Sequence, residues 1–333
     1  MSEKRSVLVV SDTGMNKNEV LESKLSTEWK VSVMSIHDNT EAFLRLLASC
    51  DALVGGRLGR ELPKNSKLKL YQVPFTGFDW IKPADLPAGA LLCNTYEHET
   101  TIAEHLLAAM LEWQTGLIRD TDPDMRVNSF NGRSINNGPH HLEMRGSTVG
   151  IIGYGHIGRE VAKRCKAFDM KVMAVSRTLR NEPDLVDWYG RIDQLDDLLM
   201  ASDFIVSCLP GGEETRSMIN KSSFKLMRPG AIVANVGRGE VIDEAALYEA
   251  LASRSIRGAI IDVWYNYPSD TNQNPWPSRF PMHKLDNVIM SPHNSAWTCA
   301  MSDRRWNFVA ANLDRFARGQ DLQNVCFRGE RVD

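Results

Sequence analysis

The sequence predicts an α/β protein built as two doubly wound parallel sheets. Three observations carry the prediction. Short apolar runs alternate with amphipathic stretches along nearly the whole chain, the runs are continuous in Val, Ile and Leu rather than alternating with polar residues, and 333 residues suffice for two domains of ordinary size. A strand wetted on one face would alternate, so continuous runs imply strands covered on both faces.

Taken in order, the first set of strands is VLVV from residue 7, VSVMSI from 31, DALVGG from 51, LKLYQV from 68 and ALLCN from 90. Next, TIAEHLLAAMLEWQTGLI, residues 101–118, holds no breaker before Gly116 and predicts one long connecting helix. The stretch DTDPDMRVNSFNGRSINNGPHHLEMRG after it is rich in Pro, Gly and Asn and has no period, which predicts an irregular crossing segment. A second set follows: TVGIIG from 148, KVMAV from 171, FIVSCL from 204, AIVANV from 231, GAIIDVW from 258 and NVIMS from 287. The closing WTCAMSDRRWNFVAANLDRFARG predicts an amphipathic helix ending at Gly319, with Arg315 and Arg318 in its last turn, where the helix dipole favours cations.

With 43% hydrophobic and 24% charged residues the composition is that of a globular protein, and a formal charge of −3 supplies no broad cationic field. Nucleic acid and anionic membranes are therefore not expected partners. Neither an apolar signal segment nor an apolar span of about 20 residues is present, so the protein is expected to be cytoplasmic. Cysteines 50, 93, 165, 208, 299 and 326 form no CxxC pair and no Cys/His cluster, which predicts reduced, mostly buried thiols and no metal.

The chemistry lies in the second half. Gly153, Gly155 and Gly158 stand in GxGxxG spacing directly after an apolar run and at the start of a helical pattern. The first glycine permits the tight turn, the second lets backbone approach a pyrophosphate at the helix N-terminus, and the third lets helix pack on strand. Tyr154, His156 and Ile157 fill the loop. The next strand ends in Ser176 and Arg177 where an acidic residue would hold the ribose 2′-hydroxyl of NAD. A hydroxyl beside a guanidinium suits a 2′-phosphate, so NADP is the preferred expectation over NAD, with Arg180 a second contact; otherwise Arg177 and Arg180 are solvated loop charges. Arg238 between two glycines, Asp262 at the end of GAII and His293 after Pro292 stand at strand ends, where open α/β sheets bind ligands.

On TIAEH, VGIIGYGHIG, CLPGGEETRSMIN, NVGRGEVIDEAAL, IDVW and SPHNSAWT, in this order over nearly the full length, the chain resembles the D-isomer-specific 2-hydroxyacid dehydrogenases. That family includes glyoxylate/hydroxypyruvate reductases, phosphoglycerate dehydrogenases and formate dehydrogenases. The resemblance implies a homodimer in which a Rossmann cofactor domain, 101–294, is inserted into a flavodoxin-like substrate domain, 1–100 plus 295–333. It implies that Arg238 binds the carboxylate of a small anionic 2-oxo or 2-hydroxy acid and polarises its carbonyl, while His293 is the acid in reduction. It also implies cofactor contacts at Leu209, Pro210, Thr215, Val236, Gly237 and Asp262, and backbone N–H groups for the carboxylate at Thr76 and Gly77.

One place departs from the family pattern. The glutamate that pairs with the histidine is replaced by Tyr267, before Pro268. A carboxylate raises an imidazole's pKa, whereas tyrosine supplies a hydrogen bond and no charge at neutral pH. Formate dehydrogenases also lack the glutamate, and DVW, the following PW and Ser295 have counterparts in them; His98 stands where they carry the asparagine that holds formate. His98 reads either as a substrate-facing group or as a histidine at a helix entry. Glu97 and Glu99 flank it and offer carboxylates, His140 and His141 read as solvated, and Trp264 and Trp297 either narrow a pocket or pack domains. The leading function is NADP-preferring reduction of a small 2-oxo acid. The alternatives are formate-like hydride transfer without acid–base help and a non-catalytic dinucleotide-binding regulator.

Overall fold

The computed structural model describes residues 4–11, 17–180, 182–269 and 271–332; the first three residues of the charged N-terminal start lie outside them. Two compact units form, one from Met1–Glu97 with Thr298–Asp333 and one from His98–Trp297.

The first unit carries β1 (Arg5–Ser11), β2 (Trp29–Ser35), β3 (Ala52–Val54), β4 (Leu70–Gln72) and β5 (Leu91–Cys93). The second carries β6 (Thr148–Ile152), β7 (Lys171–Ser176), β8 (Trp188–Arg191), β9 (Phe204–Ser207), β10 (Ile232–Asn235), β11 (Gly258–Ile261) and β12 (Val288–Met290). The chain then returns to the first unit with β13 (Val325–Arg328). The first sheet runs β2-β1-β3-β4-β5-β13, parallel but for β13, which pairs antiparallel with β5. The second runs β8-β7-β6-β9-β10-β11-β12, parallel throughout. Both are doubly wound α/β sheets, the second with the strand order of a Rossmann domain and the first with that of flavodoxin. Each reverses direction beside its first strand, and there the carboxyl ends of the strands open a ligand crevice.

The continuous apolar runs are explained by cover on both faces. In the second unit Val149, Ile151, Val206, Ala234 and Ile260 pack on one side with Leu106, Met110 and Trp113 of the helix Glu99–Thr115. Their neighbours Ile152, Ile205, Val233 and Ile261 pack on the other with Leu198, Phe224, Leu247 and Leu251. Each such side chain, fully buried, contributes about 1.5–3 kcal/mol.

The connecting helix is shorter than the expected 101–118. It spans Glu99–Thr115 because Gly116 takes φ 62°, donates to Glu112 O, and begins a wider turn in which Thr121 N–H reaches Gly116 O. The crossing segment holds a short helix, Asp122–Arg126, that its composition hides. The last helix, Cys299–Ala317, is capped by Thr298 and closes as expected at Gly319, φ 69°, with Gly319 and Gln320 donating back to Phe316 and Arg315. All six cysteines are free; burial pushes the thiols of Cys50, Cys93 and Cys165 up to about 12, so they stay protonated and inert, while Cys299 is exposed.

Candidate active site

The three glycines after β6 meet three different demands. Gly153 has φ 95°, which an L side chain tolerates only with strain. Gly155 caps the helix His156–Ala167, and a Cβ there would meet nothing within 4 Å, so the helix N-terminus is open in front. A Cβ on Gly158 would lie 2.7 Å from Gly153 O, so the helix packs on the turn only without one. An accessible helix start fits a dinucleotide pyrophosphate, because the first N–H groups of any helix have no partner within it. His156 and Ile157 open that helix, and the exposed His156 Nδ1 lies 4.0 Å from Glu99 Oε1. Tyr154 points elsewhere: it is buried, donates to Glu182 at 3.1 Å and meets Tyr189 edge-on, which leaves only its backbone to a ligand.

At the end of β7 the Ser176 hydroxyl lies 2.7 Å from Thr178 O and 2.7 Å from the Tyr189 hydroxyl, so it is engaged within the protein. Arg177 pairs with Glu214 at 3.2 Å, both side chains about 80% exposed. Such a pair is worth about 0–1 kcal/mol and leaves Arg177 able to turn to a stronger anion. Arg180 is exposed.

The loops after β9 and β10 are in contact. A Cβ on Gly237 would lie 2.2 Å from Leu209 O, and both atoms are fixed by backbone. Thr215 Oγ1 donates to Pro210 O at 2.8 Å, which closes the first loop. The buried Asn235 brackets the second, accepting from Gly237 N–H at 3.2 Å and donating to Arg238 O at 3.0 Å. Val236 is buried behind it. Gly237→Ala is expected to force the loops apart, lowering stability by about 2 kcal/mol and dinucleotide affinity at least about tenfold. Thermal unfolding with and without a nicotinamide dinucleotide checks this.

Arg238 follows, with Nη1 on Gly237 O at 3.0 Å. Asp262, directly after β11, is 1% exposed and binds the loop after β12. It accepts from Ser291 Oγ at 2.6 Å, from Asn294 N–H at 3.1 Å and from the N–H and hydroxyl of Ser295. His293 lies within that clasp at φ 59°, a left-handed conformation rare for a non-glycine residue. Trp264 packs in the core with its indole N–H on Ser291 O at 2.8 Å, a structural duty rather than a pocket-narrowing one. Trp297 is exposed.

Tyr267 reaches His293: its hydroxyl lies 2.9 Å from Nδ1 and accepts from Trp264 N–H at 3.0 Å. Burial lowers the pKa of His293, Asp262 opposes that, and Arg238 adds to it. The balance favours the neutral ring.

His98 is buried before the helix Glu99–Thr115 and does not cap it with its side chain. Of the carboxylates flanking it, Glu97 pairs with Arg304 at 3.4 Å and Glu99 lies 4.0 Å from His156. His140 and His141 are exposed. In the first unit, Thr76 and Gly77 lie on a turn that Asn94 fastens by donating to Thr76 O at 2.9 Å, while Thr76 Oγ1 donates to Thr95 O at 3.2 Å. Among the described residues no group of three His, Cys, Asp or Glu side chains is placed to hold a metal, and no helix is long and apolar enough to cross a membrane. Sequence reasoning missed Asn235, Ser291 and Glu182; the two serines around Pro292–His293, opposite an aspartate at a strand end, were the available signal for Ser291 and Ser295.

Comparison with known proteins bears on this arrangement. The profile of the D-isomer specific 2-hydroxyacid dehydrogenase NAD-binding domain matches residues 107–295. The chain is 30% identical over 289 residues to a glyoxylate reductase of Pyrococcus furiosus, covering 84% of this chain and 83% of that one. It is 32% identical over 288 residues to the Pyrococcus horikoshii glyoxylate reductase, covering 84% of each. A D-isomer specific 2-hydroxyacid dehydrogenase family protein from Aeromonas salmonicida superposes with a TM-score of 0.82 at 26% identity, covering 98% of this chain and 99% of the other.

Proposed function

The chain belongs to the D-isomer specific 2-hydroxyacid dehydrogenase family, whose members are NAD(P)-dependent oxidoreductases of small acids, and from that premise we propose that it reduces a small 2-oxo acid with NADPH. The observation that carries the reading is the pair of Arg238 and His293 after β10 and β12, the strands on either side of β11, with the loop of His293 clasped by Asp262 and its Nε2 bonded to nothing among the described residues. When bound, the reduced nicotinamide supplies the hydride. Arg238 holds the substrate carboxylate and draws electron density onto the carbonyl oxygen, and His293 meets the charge that develops there. Thr76 and Gly77 offer backbone N–H groups to the carboxylate. The Gly153–Gly158 turn, Leu209, Pro210, Thr215, Val236 and Gly237 hold the dinucleotide, which makes residues 98–297 the cofactor domain and the remainder the substrate domain.

Assay of NADPH and NADH oxidation against glyoxylate, hydroxypyruvate, pyruvate and phenylpyruvate tests the reading; absence of turnover with all four overturns it. Cofactor-coupled oxidation of formate, if seen instead, moves the assignment to the reaction without acid–base help. The NADP preference rests on Arg177 and on the lack of an acid at the end of β7. Arg177→Glu is expected to raise KM for NADPH about 30-fold and leave NADH within about threefold, since only the 2′-phosphate meets the reversed charge. Equal effects on both cofactors would remove that preference from the proposal. A cytoplasmic location completes the reading, with a homodimer supported by exposed Leu117 and Ile118 just before the crossing segment and Val127, Phe130 and Ile135 on it.

A further inference from the structure

We propose that Tyr267 and His293 form a two-member relay that brings the proton of the reduction from solvent to the substrate oxygen. The inference rests on the role given above to His293 and assigns the source of its proton. The Tyr267 hydroxyl has two partners within the protein, Trp264 N–H at 3.0 Å and His293 Nδ1 at 2.9 Å. A backbone N–H only donates, so the phenolic oxygen accepts there, and its own proton finds an acceptor at Nδ1. An Nδ1 that accepts leaves the neutral ring its proton on Nε2, the nitrogen without a partner among the described residues. A glutamate at 267 would do the reverse: acceptor only, it would draw the proton to Nδ1 and favour the imidazolium.

A neutral imidazole alone is a poor acid for this work, because losing Nε2–H would leave an anionic ring. Tyr267 removes that obstacle. As hydride adds to the carbonyl carbon, the carbonyl π pair becomes a lone pair on oxygen, and that oxygen takes the proton from Nε2. Nδ1 takes the phenolic proton in the same movement, so the ring ends neutral as its other tautomer and Tyr267 ends as phenolate. The net transfer runs from a phenol, ordinarily near 10, to an alkoxide whose conjugate acid is, like water, a far weaker acid than a phenol, and is downhill.

The phenolate keeps the Trp264 N–H, gains the Nδ1–H, and faces Arg238. The charged groups that face the pair are Asp262 and Arg238. Burial raises the pKa of the phenol, Trp264 N–H and Arg238 oppose that, and Asp262 acts with burial. The proton returns from the far side of the ring. Tyr267 is 46% exposed and lines an open cavity of about 620 Å³ with Asn266, Ser269, Asn272, Trp276 and Arg279, the route assigned to that proton.

Two measurements test the relay, one of them independent of turnover. In the resting protein labelled with ¹⁵N-histidine, the His293 ring is expected to resonate as the Nε2–H tautomer, and Tyr267→Phe to mix the two tautomers. In steady-state reduction of a 2-oxo acid, the wild type is expected to hold kcat from neutrality up to the ordinary phenol range, about pH 10, and to lose it only above that, as the phenol titrates. Tyr267→Phe should lower kcat about 100-fold with KM and NADPH binding unchanged, the size of general acid catalysis. Tyr267→Glu should restore turnover with a falling limb near neutrality, where a glutamate-paired imidazolium gives up its proton. A resting Nδ1–H tautomer, or a Tyr267→Phe variant that keeps wild-type kcat and pH profile, overturns the relay. If the wild type reduces no 2-oxo acid, the functional reading fails on that result, and the tautomer still decides which way the Tyr267 hydrogen bond runs.

Discussion

Arg238→Gln is expected to lower kcat/KM for 2-oxo acids about 1000-fold while the dissociation constant for NADPH changes less than about threefold. The guanidinium is assigned two tasks at once, a fork for the substrate carboxylate and a positive charge beside the carbonyl oxygen, and glutamine keeps neither. A loss of three powers of ten corresponds to about 4 kcal/mol of transition-state stabilisation, the upper part of the range for removal of a single oxyanion donor. Arg238→Lys retains charge without the fork and is expected to fall between, at about 30-fold. A second signature follows from the field of Arg238. The guanidinium lowers the pKa values of both His293 and Tyr267, so its removal raises both, and the alkaline limb of the residual activity should move to higher pH. Stopped-flow binding of NADPH with a kcat/KM profile over pH checks both parts. A glutamine variant within tenfold of wild type would take the substrate from Arg238.

The reach of sequence reasoning in this molecule follows the strength of the physical signal at each place. Eleven apolar runs were legible as strands, most plainly where cover on both faces leaves few polar positions, as in β6 and β9 to β11. The edge strands β8 and β13 were not, since each has one or both ends exposed and neither WYGR nor VCFR carries a buried run. The connecting helix was legible as a helix but not at its end: Gly116 was visible as a breaker, while its left-handed turn and its bond to Glu112 O depend on how the following wide turn closes.

In the site the same rule holds. The roles of Gly153 and Gly158 are local and were readable from spacing. The engagement of Ser176 was not, because Tyr189 arrives from β8, a strand with no sequence signature. Tyr267 was legible as a departure from the family pattern. The direction of its hydrogen bond was hidden, because that depends on Trp264 N–H, a backbone group that turns toward the phenol only in the folded loop.

Asp262→Ala is expected to be the most damaging single change to the cofactor unit. In the sequence this aspartate reads as a ligand contact, yet its two oxygens are filled by donors from residues 291 to 295. Serine hydroxyls can turn to other acceptors, but the N–H groups of Asn294 and Ser295 are fixed, and each stranded donor costs about 1–3 kcal/mol. The variant is therefore expected to lose about 3 kcal/mol of stability, which for a domain of this size lowers Tm by about 10 °C. Activity should fall further than stability. His293 holds φ 59° only because the clasp on both sides enforces it, and without Asp262 the loop relaxes and carries the ring off Tyr267. A kcat loss of about 100-fold at a temperature where the variant is still folded is the expected sign. Asp262→Asn, which keeps one oxygen for the obligate donors, should fall between the two. Thermal unfolding with kcat measured well below Tm separates the effects: an alanine variant that unfolds early but turns over normally when folded would make Asp262 a purely structural carboxylate and free His293 from dependence on the clasp.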